Sequence, residues 1–326
     1  MPKLADRYPF PAPEGSHWQV PQDFNVTFNW DYDEGRATMM GLYRKGVEMQ
    51  WNAETRIDWT QELDEENPEQ LPEEMLPISG MAEYEKMSAK EKAKVRRHFQ
   101  GWQISQFMQG EQGALICAAK IVTQVPDVDS KFYASTQVID EARHVESYKR
   151  LLEKFGVAYP MTPPLQELID QVLRDSRWDM TYLGMQVVIE GLALRDYYPT
   201  LTQKERDERE QFLLEACYLM RDRFDAVEVW KTLGLDPARC AEHMYDSGFM
   251  EMFRSSLFTR IVPIVKDIGL WGPTIRKGYE DMGIIGFADT DVQALQDADD
   301  TIAKDFDARR KYIESVADRA KALETA

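Results

Sequence analysis

Residues 88–124 read SAKEKAKVRRHFQGWQISQFMQGEQGALICAAKIVTQ, and this stretch decides the fold class. Ser88 followed by Glu91 has the spacing of a capping box, in which each residue satisfies a free backbone N–H of the other at a helix start. Beyond it no Pro occurs, and Gly is confined to Gly101, Gly110 and Gly113. The expectation is one uninterrupted helix of about 36 residues, ~54 Å long at 1.5 Å per residue. A second helical pattern runs from about Asp129 to Phe155 and is stopped by Gly156. A third starts at Pro163-Pro164 and runs to Tyr198 before Pro199. A fourth starts at Thr202, with Glu205 forming a second capping box, and ends at Gly234. A fifth opens with Asp236 and Pro237 and continues to about Asp267, with a kink expected at Pro263.

Upstream, apolar residues from Ala37 to about Trp51 follow helical spacing, and the acidic, Pro-containing stretch from Asn52 to Met87 reads as a surface connection with at most short helices. A short amphipathic piece near Pro273 to Met282 and a charged tail helix from about Asp291 to Leu323 complete the chain. No alternating strand pattern and no repeat is visible. Long helices with short connections predict an all-α, up-and-down helical bundle over residues 37–290. Residues 1–36, rich in Pro and aromatics without periodicity, are expected to form an extended arm over it, and residues 291–326 a charged C-terminal tail.

Composition narrows the function. The chain has 326 residues with 39 Lys+Arg against 57 Asp+Glu, a net charge of −18, and 43% hydrophobic residues including eight Trp. That is enough apolar material for a sizeable core and speaks against wholesale disorder. An acidic balance of this size repels a phosphate backbone, so nucleic acid is not the expected partner. No stretch of roughly 18 apolar residues suggests a membrane span, and the start MPKLADRYPFPAPEG lacks the apolar core of a secretory signal, so a cytoplasmic protein is expected. Cys117, Cys217 and Cys240 are sparse and far apart and read as buried thiols, not as a disulfide framework or zinc cluster.

The stretch most informative for chemistry is Gln137-Val-Ile-Asp-Glu-Ala-Arg-His144, in the middle of the second long helix. Glu141 and His144, three apart, lie on one helical face, where carboxylate and imidazole can bind the same metal. Such a pair also arises by chance in a chain with 57 acids and four His; Glu14 and His17 in the Pro-rich arm are another. What singles out Glu141 and His144 is company. Glu111 lies in the apolar run Phe107-Met-Gln-Gly-Glu-Gln-Gly-Ala-Leu-Ile-Cys117, and Glu190 in Met185-Gln-Val-Val-Ile-Glu-Gly-Leu-Ala-Leu194. Carboxylates in apolar helix centres are costly unless paired or metal-bound. The plainer reading of the same residues is salt-bridging of Glu111 or Glu190 to Arg143 or Arg195, with His144 as a hydrogen-bonded core histidine. Carboxylate oxygens and imidazole nitrogens suit iron or manganese, and such ions bind dioxygen at open positions.

The order Gly110-Glu-Gln-Gly113, Asp140-Glu-Ala-Arg-His144-Val-Glu-Ser-Tyr148 and Ile189-Glu-Gly-Leu-Ala-Leu194 resembles the ferritin-like di-iron superfamily, and within it the bacterial aminobenzoate N-oxygenase-like oxygenases. Leu42-Tyr-Arg-Lys45, Leu257-Phe-Thr-Arg-Ile-Val-Pro263 and Gly269-Leu-Trp-Gly-Pro273 agree, so the resemblance covers roughly residues 37–290. It implies that Glu111, Glu141, His144 and Glu190 are iron ligands. It also implies a further helix with a second Asp-Glu-x-Arg-His motif, and here the pattern departs: Tyr198-Pro-Thr-Leu leads directly into Thr202-Gln-Lys-Glu, and no Glu-x-x-His follows Glu190. Either that segment is absent or the fourth helix substitutes for it. Asp222 and Asp225 then have the matching i, i+3 spacing, ahead of Glu215 and Glu228. His243 is the other downstream imidazole, read first as structural, and His98 is placed on a basic face with no role.

Two functions are therefore expected to compete. One is a non-haem di-iron oxygenase or oxidase that takes dioxygen, a small organic substrate and electrons from an external donor, since no Gly-rich dinucleotide fingerprint is present. The other is a ferritin-like bundle with one metal or none, acting as a ligand- or partner-binding protein. A missing crossover element would leave apolar surface uncovered, at roughly 25 cal/mol per Å2, which predicts a homodimer.

Overall fold

The computed structural model describes residues 20–29, 32, 35–185, 197–222 and 226–284, with the side chains of 222, 255–257, 259 and 260 left aside. Among these residues all regular structure is helical. In chain order the helices are α1 (Ala37–Glu48), α2 (Ala53–Arg56), α3 (Ala82–Glu85), α4 (Ala89–Gln124), α5 (Val128–Phe155), α6 (Pro163–Arg174), α7 (Trp178–Tyr182), α8 (Gln203–Asp222), α9 (Val227–Thr232), α10 (Pro237–Asp246), α11 (Phe249–Asp267) and α12 (Pro273–Asp281).

The long helices start and stop where local chemistry directs. At α4 the Ser88 hydroxyl oxygen accepts from Glu91 N while the Glu91 carboxylate accepts from Ser88 N at 2.8 Å, the reciprocal pairing of a capping box. At α5 the Asp127 side chain accepts from Ser130 N at 2.8 Å, so the helix begins at Val128. Gly156 closes α5 in a left-handed conformation. Thr202 and Glu205 cap α8 in the same way as Ser88 and Glu91 cap α4.

Three expected helices are interrupted. The third ends at Arg174, because the Asp175 carboxylate turns back to accept from Arg177 N at 2.9 Å, a side-chain bond that competes with helix continuation. Lys120 Nζ completes this ending by donating to Leu173 O at 2.7 Å and to Asp175 O. The fourth does not reach Gly234 as one rod, for Ala226 adopts a left-handed φ of 36° before α9. The fifth is divided at Gly248, whose φ of +78° an L side chain rarely adopts. Pro263 lies inside α11, where the sequence placed it. The expected tail helix lies outside the described residues.

Apolar packing forms two clusters. One gathers the C-terminal part of α4 with α6, α7, α8, α11 and α12 around Leu213, Phe258, Val265 and Tyr279. The other gathers the N-terminal part of α4 with residues 76–84, 152–159, α9 and α10 around Phe99, Trp102 and Trp230. Phe99 and Trp230 stack with centroids 6.2 Å apart. Helix α4 thus spans both cores and carries Glu111 between its two apolar stretches. The three cysteines are buried free thiols, as the sequence indicated. Residues 20–29 cross the end of α4, where Thr27 N donates to Thr123 O at 2.9 Å.

His98 is not on a simple basic face. Its Nδ1 lies 2.7 Å from Tyr159 Oη, and burial, reinforced by the charges of Lys94 and Arg97, lowers its pKa to about 4. The unfolded chain, with a His pKa near ~6.5, takes up a proton first as pH falls. This contribution to stability is full above about pH 6.5 and is lost between about 6.5 and 4. Urea unfolding at pH 7 and pH 5 should show the wild type losing about 1 kcal/mol more than His98→Asn, after allowance for partial exposure. Equal losses would remove His98 as the cause.

Candidate metal centre

Glu111 on α4 and Glu141 and His144 on α5 converge. His144 Nδ1 stands 2.9 Å from Glu141 Oε2 and 3.2 Å from Glu111 Oε2. One ligand atom from each of the three lies within 4.8 Å of the others. The i, i+3 spacing puts Glu141 and His144 on one face of α5, and the antiparallel packing of α4 against α5 delivers Glu111 from 33 residues away. Side-chain exposure is 7% for Glu141, 20% for Glu111 and 40% for His144, so the cluster has a closed side and an open one.

The electrostatics follow from crowding two carboxylates onto one imidazole. Hydrogen bonds that His144 donates to the Glu111 and Glu141 carboxylates raise its pKa to about 10, against burial. Burial raises the Glu111 carboxyl, but its hydrogen bonds to His144 and Glu141 outweigh this and the net shift is downward. A proton on His144 therefore holds two negative groups together. Two carboxylate oxygens and an imidazole nitrogen at this spacing are equally a donor set for a divalent cation such as iron or manganese, and the residues fit such an ion.

Neighbouring side chains brace the cluster. Arg143 pairs with Asp140 on its own helix at 2.6 Å, while Glu190, one of its expected partners, lies outside the described residues. The Arg143 guanidinium also lies 5.7 Å from the Trp51 ring centre, as does that of Arg56. Trp51 in turn lies 6.3 Å from the His144 ring and walls the more exposed ligand. Tyr133, two turns before Glu141 on α5, has its hydroxyl pKa raised by burial and then by the charges of Asp140 and Glu141. The sequence reading missed both. Tyr133 was detectable from its same-face spacing to Asp140 and Glu141, whereas Trp51 comes from a connection whose path only the fold defines.

Of the other candidates, Glu190 and Asp225 lie outside the described residues, as does the side chain of Asp222. Glu215 is exposed and accepts from Gln211 at 2.8 Å, and Glu228 pairs with Lys231 at 3.0 Å. His243 Nε2 lies 2.8 Å from Ser79 O, a tie between α10 and the segment before α3, which is the structural role preferred from sequence.

A family model described as P-aminobenzoate N-oxygenase AurF matches residues 33–191. Over that span the chain is similar to the AurF family. This is a ferritin-like di-iron oxygenase family, and the helices described here have the all-α bundle character it requires. The AurF match takes in Glu111, Glu141, His144 and Glu190 and stops one residue after Glu190. No curated protein and no solved structure matches the chain. No helix among the described residues is long and apolar enough to cross a membrane.

Proposed function

We propose that this chain, similar to the AurF family over residues 33–191, is an N-oxygenase-like oxygenase of the di-iron type, acting with dioxygen on a small organic substrate and drawing electrons from a separate donor. The observation that carries this reading is the convergence of Glu111, Glu141 and His144 from two helices. These three residues would hold one iron, and Glu190 would serve a second. Iron supplies the one-electron chemistry with dioxygen that amino-acid side chains lack. The chain's own part is to place two negative charges against the cation, to exclude water on the Glu141 side, and to orient the His144 ring against Trp51. Among the described residues the cluster offers one three-donor group, which favours as second reading a bundle with one metal or none and a ligand- or partner-binding role.

Iron per chain, measured after anaerobic loading with Fe(II), separates the readings. A value near two supports the di-iron oxygenase, with the second shell completed by Glu190 and another segment or chain. A value of one or none overturns it in favour of the second reading. The same loaded sample is expected to sediment as a homodimer, at twice the 37.9 kDa of the chain. Phe132 and Ile139 on α5 leave apolar surface exposed for such an interface, and a monomer with unchanged iron content would count against it.

A further inference from the structure

We propose that a groove between α4, α6 and residues 20–24 binds an elongated carboxylate amphiphile, of the medium-chain fatty acid class, at a site separate from the Glu111–Glu141–His144 cluster. The groove has a volume of about 620 Å3. Its apolar walls include Val20 and Phe24 from the arm, Ile116 from α4, and Ile169 and Leu173 from α6. Thr27 N, bonded to Thr123 O, holds the arm in place beside it.

Charge points to the headgroup. In a chain of net charge −18, the groove is lined by no acidic residue and by one cation, Lys120. Lys120 is 5% exposed. Its Nζ donates to Leu173 O and Asp175 O and lies 5.7 Å from the Phe24 ring centre. An ammonium has three N–H donors, of which two carbonyls take two, and the Asp175 carboxylate acts on its charge only through space, being itself bonded to Arg177. A carboxylate at this end of the groove would supply an anion in contact.

Shape points to the tail. The α4 residues lining the groove step from Gln109 through Gln112, Gly113 and Ile116 to Lys120, a run of ~16 Å at 1.5 Å per residue. Ile116, 47% exposed, presents its side chain to this space. A compact ring would fill one part of such a groove, and an alkyl chain follows its length. These positions lie on the face of α4 turned toward α6 and the arm, whereas Glu111 faces α5.

Isothermal titration calorimetry of the full chain with decanoate, decanol and benzoate tests the proposal. Saturable one-to-one binding of decanoate is expected, at least about tenfold tighter than decanol or benzoate, the size of one charge-assisted hydrogen bond. Lys120→Met should abolish the preference for decanoate over decanol, and Ile116→Trp, which fills the groove from an exposed position, should block both. Glu141→Ala should leave decanoate binding unchanged. Should Lys120→Met fail to fold, Ile116→Trp decides. Absence of saturable decanoate binding, equal binding of decanoate and decanol by the wild type, binding undiminished in Ile116→Trp, or binding lost in Glu141→Ala would each overturn it.

Discussion

Glu141→Ala is expected to lower the affinity for Fe(II) by at least 100-fold while leaving the thermal stability of the metal-free protein unchanged. Changes to groups that merely support a ligand cost 10–100-fold in metal affinity, so removal of a ligand itself sets that as a floor. Glu141 is the most buried of the three, at 7% side-chain exposure, and water cannot readily replace its oxygen. The absence of a stability loss follows from the geometry of the metal-free cluster. There Glu141 and Glu111 both accept from His144 Nδ1, so after one carboxylate is deleted the imidazole keeps the other as its partner at 3.2 Å. Competition for Fe(II) against a chelator, with a melting curve on the same apo sample, checks both halves. Undiminished iron affinity would remove Glu141 from the ligand set, and a melting temperature several degrees lower would make the residue structural.

The second large effect is expected away from the metal. Asp179→Ala should destabilise the fold by about 3–5 kcal/mol and lower the melting temperature by about 5–10 °C. Asp179 on α7 and Arg209 on α8 have side-chain exposures of 3% and 4%, with Arg209 Nε and Nη2 each 2.8 Å from Asp179 Oδ2. Removing the carboxylate leaves a guanidinium buried with Glu205 O at 3.2 Å and the rim carboxylate of Glu208 at 3.6 Å. The double variant Asp179→Leu with Arg209→Leu should recover most of the loss, because two apolar side chains of similar volume need no countercharge. A double variant no better than the single one would show that the pair matters for shape and not for charge compensation. The pair also ties α7 to α8.

Local signals explain why α4 and α5 were readable residue by residue. A capping box, an Asp cap and a glycine stop act within a few residues, and the apolar periodicity between them is long. The third and fifth patterns were equally periodic, yet both are broken. Asp175 and Gly248 carried the means to end a helix. Whether they did depended on partners from elsewhere, as when Lys120 on α4 takes the last carbonyls of α6. His98 shows the same limit, since its neighbours Lys94 and Arg97 make a basic string while Tyr159 and the second core draw it inward.

By itself the sequence determined that this chain is a helical bundle, and that Glu141 and His144 share a face, because capping and the 3.6-residue period are properties of neighbouring residues. Only the tertiary structure decided that Glu111 meets them, that Trp51 walls His144, and that Lys120 reaches the end of α6 beside an acid-free groove. Those contacts join segments far apart in the chain. The register of one helix against another selects them, and that register is set by how the whole set of apolar faces packs.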